Sequence, residues 1–571
     1  MNRGVGMIHS ALSATLLACF ALPSWANGAP PRLDLELTPH AANGAIGSVG
    51  VTLRLQEPKA KEGEALLRMP VMAVSVPTMA YRAADIEASD AAGRLALSDF
   101  DEPPTSEGTD RQYRVHRATV GDVTVRYTGK PRQVDARTRN GPLYDLRAQG
   151  AGLVGAGMYF LALPPGEQPY RVGLKWDLSG LPPGTRGVWS LGEGEQHTTT
   201  TAEMVARSAF AIGPVKSLPA DGKGSFVLYW VSEPPFDMAA LAAETEKLYR
   251  YMAKFFKDED SSYRVFAREN PFPGRGGTGL LKSFMFAYGS DEKTGSGVDH
   301  QMMLAHEIAH NWPRLNGGES HTDTAWYTEG TAEFYASVLA WRAGAIDLDK
   351  FVKTVNGHAA GYASNPYKLV DNSQVGKNFW TDADAQSLPY GRGFMYLMRI
   401  DAQLREKSGG KRSLDDLVLE VQARQKAGKQ VDNPQWRAIA VRELGEQGGR
   451  EFDNMVAGRD IVPPANAFAP CLKPVAYQIK PFELGFDRYS FGQVKNLKPD
   501  SAAAGAGVRE GDKILKLPDL KAARADSERL ITVQLQRGPQ VLEVSYAPSG
   551  PQVQAWRWQR TAAAENGGCA L

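Results

Sequence analysis

The chain has 571 residues, 43% of them hydrophobic and 23% charged. That is ordinary globular composition with room for about two to four domains, and it excludes a disordered chain. Sixty-five Lys and Arg against 64 Asp and Glu leave a formal charge of +1, so bulk electrostatics favour neither nucleic acid nor an anionic membrane surface.

Residues 1–26 read as a signal peptide: Arg3 in a short leading region, an apolar stretch from Ala11 to Leu22, and a small-x-small exit at Ser24 and Ala26. The apolar run falls short of the ~20 residues a spanning helix needs, so export to the periplasm or beyond is expected, without a membrane span. Cys19 is a loose match to a bacterial lipid-attachment site, the lesser expectation because the apolar run continues past it. The mature chain then keeps Cys471 and Cys569, which export allows either to bridge or to stay as thiols.

Residues 27–205 carry alternating strand-length segments such as "GSVGVTLRL" and "YRVGLKWDL", separated by turns such as "LPPGTRG". This predicts a β-rich N-terminal domain. His40, His116 and His197 lie in it without ligand spacing. From 206 to 460 the pattern turns α+β, with strand candidates "GSFVLYWV", "YRVFA" and "KSFMFAYG" beside the helical "MAALAAETEKLYRYMAKFF". Helices with apolar residues three and four apart follow. A linker at 461–474 leads to a compact unit at 475–560 and a tail at 561–571.

The stretch "AHEIAHNW" sets His306 and His310 four apart around Glu307. Residues four apart on a helix differ by about 40° around the axis, so both rings can aim at one point, with Glu307 offset by about 100° from His306. Catalytic zinc needs a third protein ligand and one open position. Eighteen residues (311–328) separate His310 from Glu329 in "TAWYTEGTAEFYA", room for a loop and a returning helix, so Glu329 is the expected third ligand. Glu333, one turn on, and Asp323 are candidates to orient a ligand histidine through its other ring nitrogen; Glu333 reads equally as a solvated helix face. His300 and His321 lack ligand spacing, and His300 suits a helix start or the surface.

"HEIAHNW…WYTEGTAEFY" resembles the gluzincin metallopeptidases. The β-rich first domain, the segment "YGRGFMYLMRIDAQLREKSGGKRSLDDLV" and the C-terminal unit resemble the glycyl aminopeptidase family within that group. The resemblance implies a thermolysin-like catalytic domain at 206–460, one Zn2+ on His306, His310 and Glu329, and Glu307 as general base. It also implies an oxyanion donor from a tyrosine before a helix start, which places Tyr390 of "SLPYGRGF" in that role with Tyr396 as competitor. Arg392 is a weaker candidate for a substrate carboxylate.

One segment departs from the pattern. Related aminopeptidases end a glycine-rich edge strand in an acid that pairs with the substrate's amino terminus. Here "GGTGLLKSFMF" puts Lys282 close to that place. The backbone of Gly276, Gly277 and Gly279 can still pair with an extended peptide.

"FELGFDRYSFGQVKNLKPDSAAAGAGVREGDKILKL" resembles a PDZ domain. Leu484, Gly485 and Phe486 stand where backbone amides would cradle a peptide's terminal carboxylate; the competing reading is a structural cap on the catalytic domain. The expectation is an exported, aminopeptidase-like zinc metallopeptidase acting on oligopeptides or flexible protein ends, with terminal or internal cleavage left open. The alternative is a non-catalytic peptide-binding protein whose metal is structural.

Overall fold

The computed structural model describes residues 29–569 except 75, 106–107, 136–137, 139–140, 273, 293, 296–299, 381, 488–491, 519 and 566–568. The expected signal peptide and Cys19 lie outside the described residues. Contacts divide the chain between Asn311 and Trp312 into two units, a β-rich one and a helical one.

In the first unit, alternation builds a seven-stranded sheet. Arg32–Ala42 and Ala45–Leu55 pair antiparallel, with Leu35 opposite Leu53 and Leu37 opposite Val51. Leu33, Leu35, Leu37, Val51 and Leu53 are buried while their sequence neighbours face outward, the period-two pattern of a sheet with one covered face. A four-stranded sheet and a five-stranded sheet contribute to the same core. The strand Ala209–Gly213 pairs with Gly152–Ala156 and Arg186–Trp189, so that sheet continues beyond residue 205.

A second five-stranded sheet follows: β1 (Lys216–Leu218), β2 (Phe226–Trp230), β3 (Tyr263–Glu269), β4 (Gly276–Leu280) and β5 (Ser283–Tyr288), in the order β1-β2-β3-β5-β4. Val227, Tyr229, Phe266, Leu280, Met285 and Ala287 share a core with Val154, Ala156 and Ala211 of the preceding sheet. On the other face lie helices α1 (Met238–Phe255) and α2 (Gln301–Ala309), with Tyr249 of α1 against Phe226 and Tyr263. Burial on both faces explains why β2 and β5 are apolar without alternation.

The second unit opens with α3 (His321–Arg342), α4 (Leu348–Ser364) and α5 (Ala383–Ser408), whose first turns are capped by Ser320, Asp347 and Asp382. A Cβ on Gly393 of α5 would stand 1.9 Å from the Trp326 carbonyl of α3. The two helices therefore cross backbone to backbone at Gly330 and Gly393. No described helix is long and apolar enough to cross a membrane.

Beyond the helices, β6 (Leu472–Ile479) pairs with β10 (Val553–Arg560), and β7 (Lys513–Lys516), β8 (Ile531–Arg537) and β9 (Gln540–Tyr546) form a three-stranded sheet. Asn356 of α4 bonds both backbone groups of Trp558 in β10, at 2.6 and 3.1 Å, so that strand docks on the helices. The three-stranded sheet keeps a separate core around Phe486, Val494, Val533 and Leu535. Cys471 and Cys569 are joined by a disulfide.

Candidate metal centre

The helix α2 is short and almost wholly buried: Leu304, Ala305 and Ile308 are fully covered. His306 lies in its last turn and His310 at its C-cap. The spacing of four brings their Nε2 atoms to 3.1 Å. Glu307, 2% exposed, lies between them in sequence. Its backbone carbonyl belongs to the last turn, where helix carbonyls lack intrahelical partners. The Tyr263 hydroxyl at the start of β3 donates to it at 3.2 Å, tying the motif to the sheet.

His306, His310 and Glu329 each offer one ligand atom, and these lie within 4.8 Å of one another. All three residues are buried, Glu329 being 1% exposed on α3. Two imidazole nitrogens and a carboxylate oxygen are the donor set of a catalytic zinc site, which leaves one position for water or substrate. The residues present fit the metal.

The other candidates distribute differently. Glu333 carries its carboxylate 3.3 Å from Nε2 of His358 on α4. His358, 5% exposed, also lies 3.4 Å from the Ser337 hydroxyl and packs on Phe394. This buried histidine was missed in the sequence, where it reads as one more position of the stripe Phe351, Val355, Ala359 and Tyr362. Asp323 is exposed in the first turn of α3 and accepts from the Ser320 hydroxyl at 2.6 Å. It complements the helix start rather than a ligand histidine.

Tyr390 is half-buried and lies inside α5, directly after Pro389, not before a helix start. Its competitor Tyr396 is buried, with its hydroxyl accepting from the Trp436 indole at 3.1 Å. That places Tyr396 in the core. Arg392 corrects the expectation of a substrate cation. It is 1% exposed, and its terminal nitrogens are bonded to Asn372 and to the carbonyls of Tyr367, Lys368 and Val370. Burial lowers its pKa to about 10, leaving it charged but committed to that turn.

His300 stands at the helix start expected for it, but not at the surface. It occupies the N-cap position of α2 but is 1% exposed, packed between Phe236 and Phe286. Burial, helped by Arg275, pushes its pKa down to about 3. The Glu292 carboxylate 3.7 Å away therefore faces a neutral ring. His321 opens α3 and packs on Phe379 and Trp380.

Gly276, Gly277 and Gly279 lie on β4, the edge strand. A Cβ on Gly277 would fall 1.7 Å from the buried Phe284 ring, so the glycine leaves room for the aromatic on β5. Gly485 adopts a positive φ of 89° between the buried Leu484 and Phe486, and a Cβ there would meet Ser501 and Ala503 at 2.7 Å. Only a glycine combines that backbone angle with that close approach.

No protein-family model and no curated protein matches the chain. Among solved structures, an M1 zinc metallopeptidase mutant from Deinococcus radiodurans, bound to a Tyr-Ser-Ala substrate, is 15% identical. It aligns over 76% of this chain and 95% of its own with a TM-score of 0.47. Native yeast LTA4 hydrolase is 14% identical over 76% of this chain and 69% of its own, at 0.45. An aminopeptidase N family protein from Idiomarina loihiensis matches 94% of this chain and 100% of its own at 13% identity, with a TM-score of 0.65. The chain is thus similar in fold to that aminopeptidase N family protein over nearly its whole length.

Proposed function

We propose that the chain is an exported zinc-dependent metallopeptidase of the gluzincin group, cleaving oligopeptides or flexible protein ends. The observation that carries this reading is the convergence of His306, His310 and Glu329 with Glu307 on the same short helix. The fold shared with an aminopeptidase N family protein supports it. Zinc in such a site supplies Lewis acidity that polarises a peptide carbonyl and acidifies a water. Glu307, offset from His306 by about 100° on the helix, takes the proton of the attacking water and returns it to the leaving amine. Tyr390 donates a hydrogen bond to the oxygen that becomes negative on attack.

The C-terminal unit is read as PDZ-like, binding a peptide's C-terminus. The order of the Leu484–Gly485–Phe486 loop, the short helix Ala502–Gly505 and the Gly511–Asp512 turn supports this.

Zinc content and cleavage of a mixed peptide library test the proposal, with Glu307→Gln beside the wild type. The expected result is about one zinc per chain in both proteins. Cleavage by Glu307→Gln should fall about 10²–10⁴-fold, the usual worth of a general base. Mass spectra then separate removal of terminal residues from internal cuts. Zinc with equal inertness in both proteins would replace the proposal by the non-catalytic peptide-binding reading.

A further inference from the structure

We infer that Lys282 makes this site select substrates with a carboxylate, and reject a free amino terminus, at the end of the bound strand next to Glu307; this rests on the peptidase reading above. The strand β4 is outermost in its sheet, and β5 is the one described strand that pairs with it. Its other edge offers backbone donors and acceptors to an added peptide strand.

The register shows which end of β4 approaches the motif. Leu280 pairs with Ser283, so Leu281 and Lys282 form the turn between β4 and β5. Ser283 also pairs with Arg264 of β3, whose amide donates to the Lys282 carbonyl at 3.1 Å. The next residue back, Tyr263, reaches the Glu307 carbonyl. At the opposite end of the sheet, His300 at the start of α2 packs on Phe286, which pairs with Gly277. The helix therefore starts near the Gly276 end of β4, and its Glu307 lies at the Lys282 end.

Two features single out this lysine. Its φ is +44° at the second turn position, where turns with a negative first φ favour Gly or Asn. Its side chain is exposed, and among the described residues its ammonium has no acid partner. The two arginines adjoining this turn carry the same sign and do not offset it. Arg264 is buried and donates to the carbonyls of Ser225 and Tyr263, while Arg207, whose carbonyl accepts from Leu281, pairs with Glu203. A peptide added to β4 thus meets an uncompensated positive charge at the Glu307 end. An ammonium there is repelled and a carboxylate attracted.

Binding tests this independently of turnover. Acetylated hexapeptides carrying one Glu, Gln or Lys at each position in turn, with their unacetylated counterparts, are titrated against zinc-loaded Glu307→Gln protein. At one position Glu should bind about fivefold more tightly than Gln, and Lys more weakly, the scale of one exposed charge pair. The unacetylated peptides should gain nothing. Adding Lys282→Gln should flatten the order and Lys282→Glu should invert it, with all differences shrinking in high salt. No positional preference, tighter binding of free amino termini, or an order unchanged in Lys282→Glu would overturn the inference. A charge preference without turnover by the wild type would instead sink the peptidase reading and leave Lys282 as a charge-selecting residue of a peptide-binding site.

Discussion

Two buried polar clusters in this protein are built on opposite plans. Asp145, with a fully covered side chain, receives Arg268 at 2.7 Å, Arg147 at 2.8 Å and Arg132 at 3.2 Å. Burial pushes its carboxyl up, but the guanidiniums of Arg268 and Arg147 outweigh this and hold it below the ordinary range. Arg268 lies on β3 and Asp145 follows Leu143, whose amide bonds Thr278 of β4 at 2.7 Å, so the cluster fastens the sheet that carries the motif. The second cluster, His306, His310 and Glu329, is composed of Lewis bases. The first cluster contains its own counter-ions and serves geometry; the second has the composition that a metal completes.

The contrast breaks most visibly at Asp145. Replacing it with Ala leaves buried guanidiniums uncompensated, and denaturant unfolding should show a loss of about 3–5 kcal/mol. Zinc per folded molecule should stay unchanged, because no ligand is touched. A drop in zinc affinity without a drop in stability would show that the two clusters are not separate in role.

The pH response comes next. The unfolded chain protonates His300 near its ordinary 6.5, whereas the folded chain resists until about 3. The unfolded state therefore binds the extra proton in that window, and stability falls as pH falls from about 6.5 to about 3, by on the order of 5 kcal/mol. Melting temperatures of His300→Phe should fall less steeply across that window. An unchanged slope would place the acid sensitivity elsewhere.

The smallest expected effect is at Tyr263. Tyr263→Phe removes the hydroxyl that bonds the Glu307 carbonyl and should cost about 1 kcal/mol in unfolding experiments. Because that bond holds the motif's last turn, kcat should fall more than KM rises. A pure stability loss with unaltered kinetics would make the tie merely structural.

Much of the architecture is legible locally. Period-two alternation marks strands such as Ala45–Leu55, and continuous apolar runs mark β2 and β5. The spacing of His306, Glu307 and His310 is legible because a helix turns spacing into direction. The roles of Arg392, Asp323 and His358 are not, since each depends on what a distant element presents. The turn at 367–372 takes up the guanidinium, Ser320 bonds the aspartate, and Glu333 faces the histidine.

The sequence by itself determined the donor types, their helical spacing and the lysine in the glycine-rich strand, because these depend on residue identity and backbone period. The tertiary structure alone decided that His300 is neutral and enclosed, that Tyr396 and Arg392 are already bonded, and that Lys282 lies at the Glu307 end of β4. Burial, partners and strand register are set by contacts between residues far apart in the chain, which no local pattern encodes.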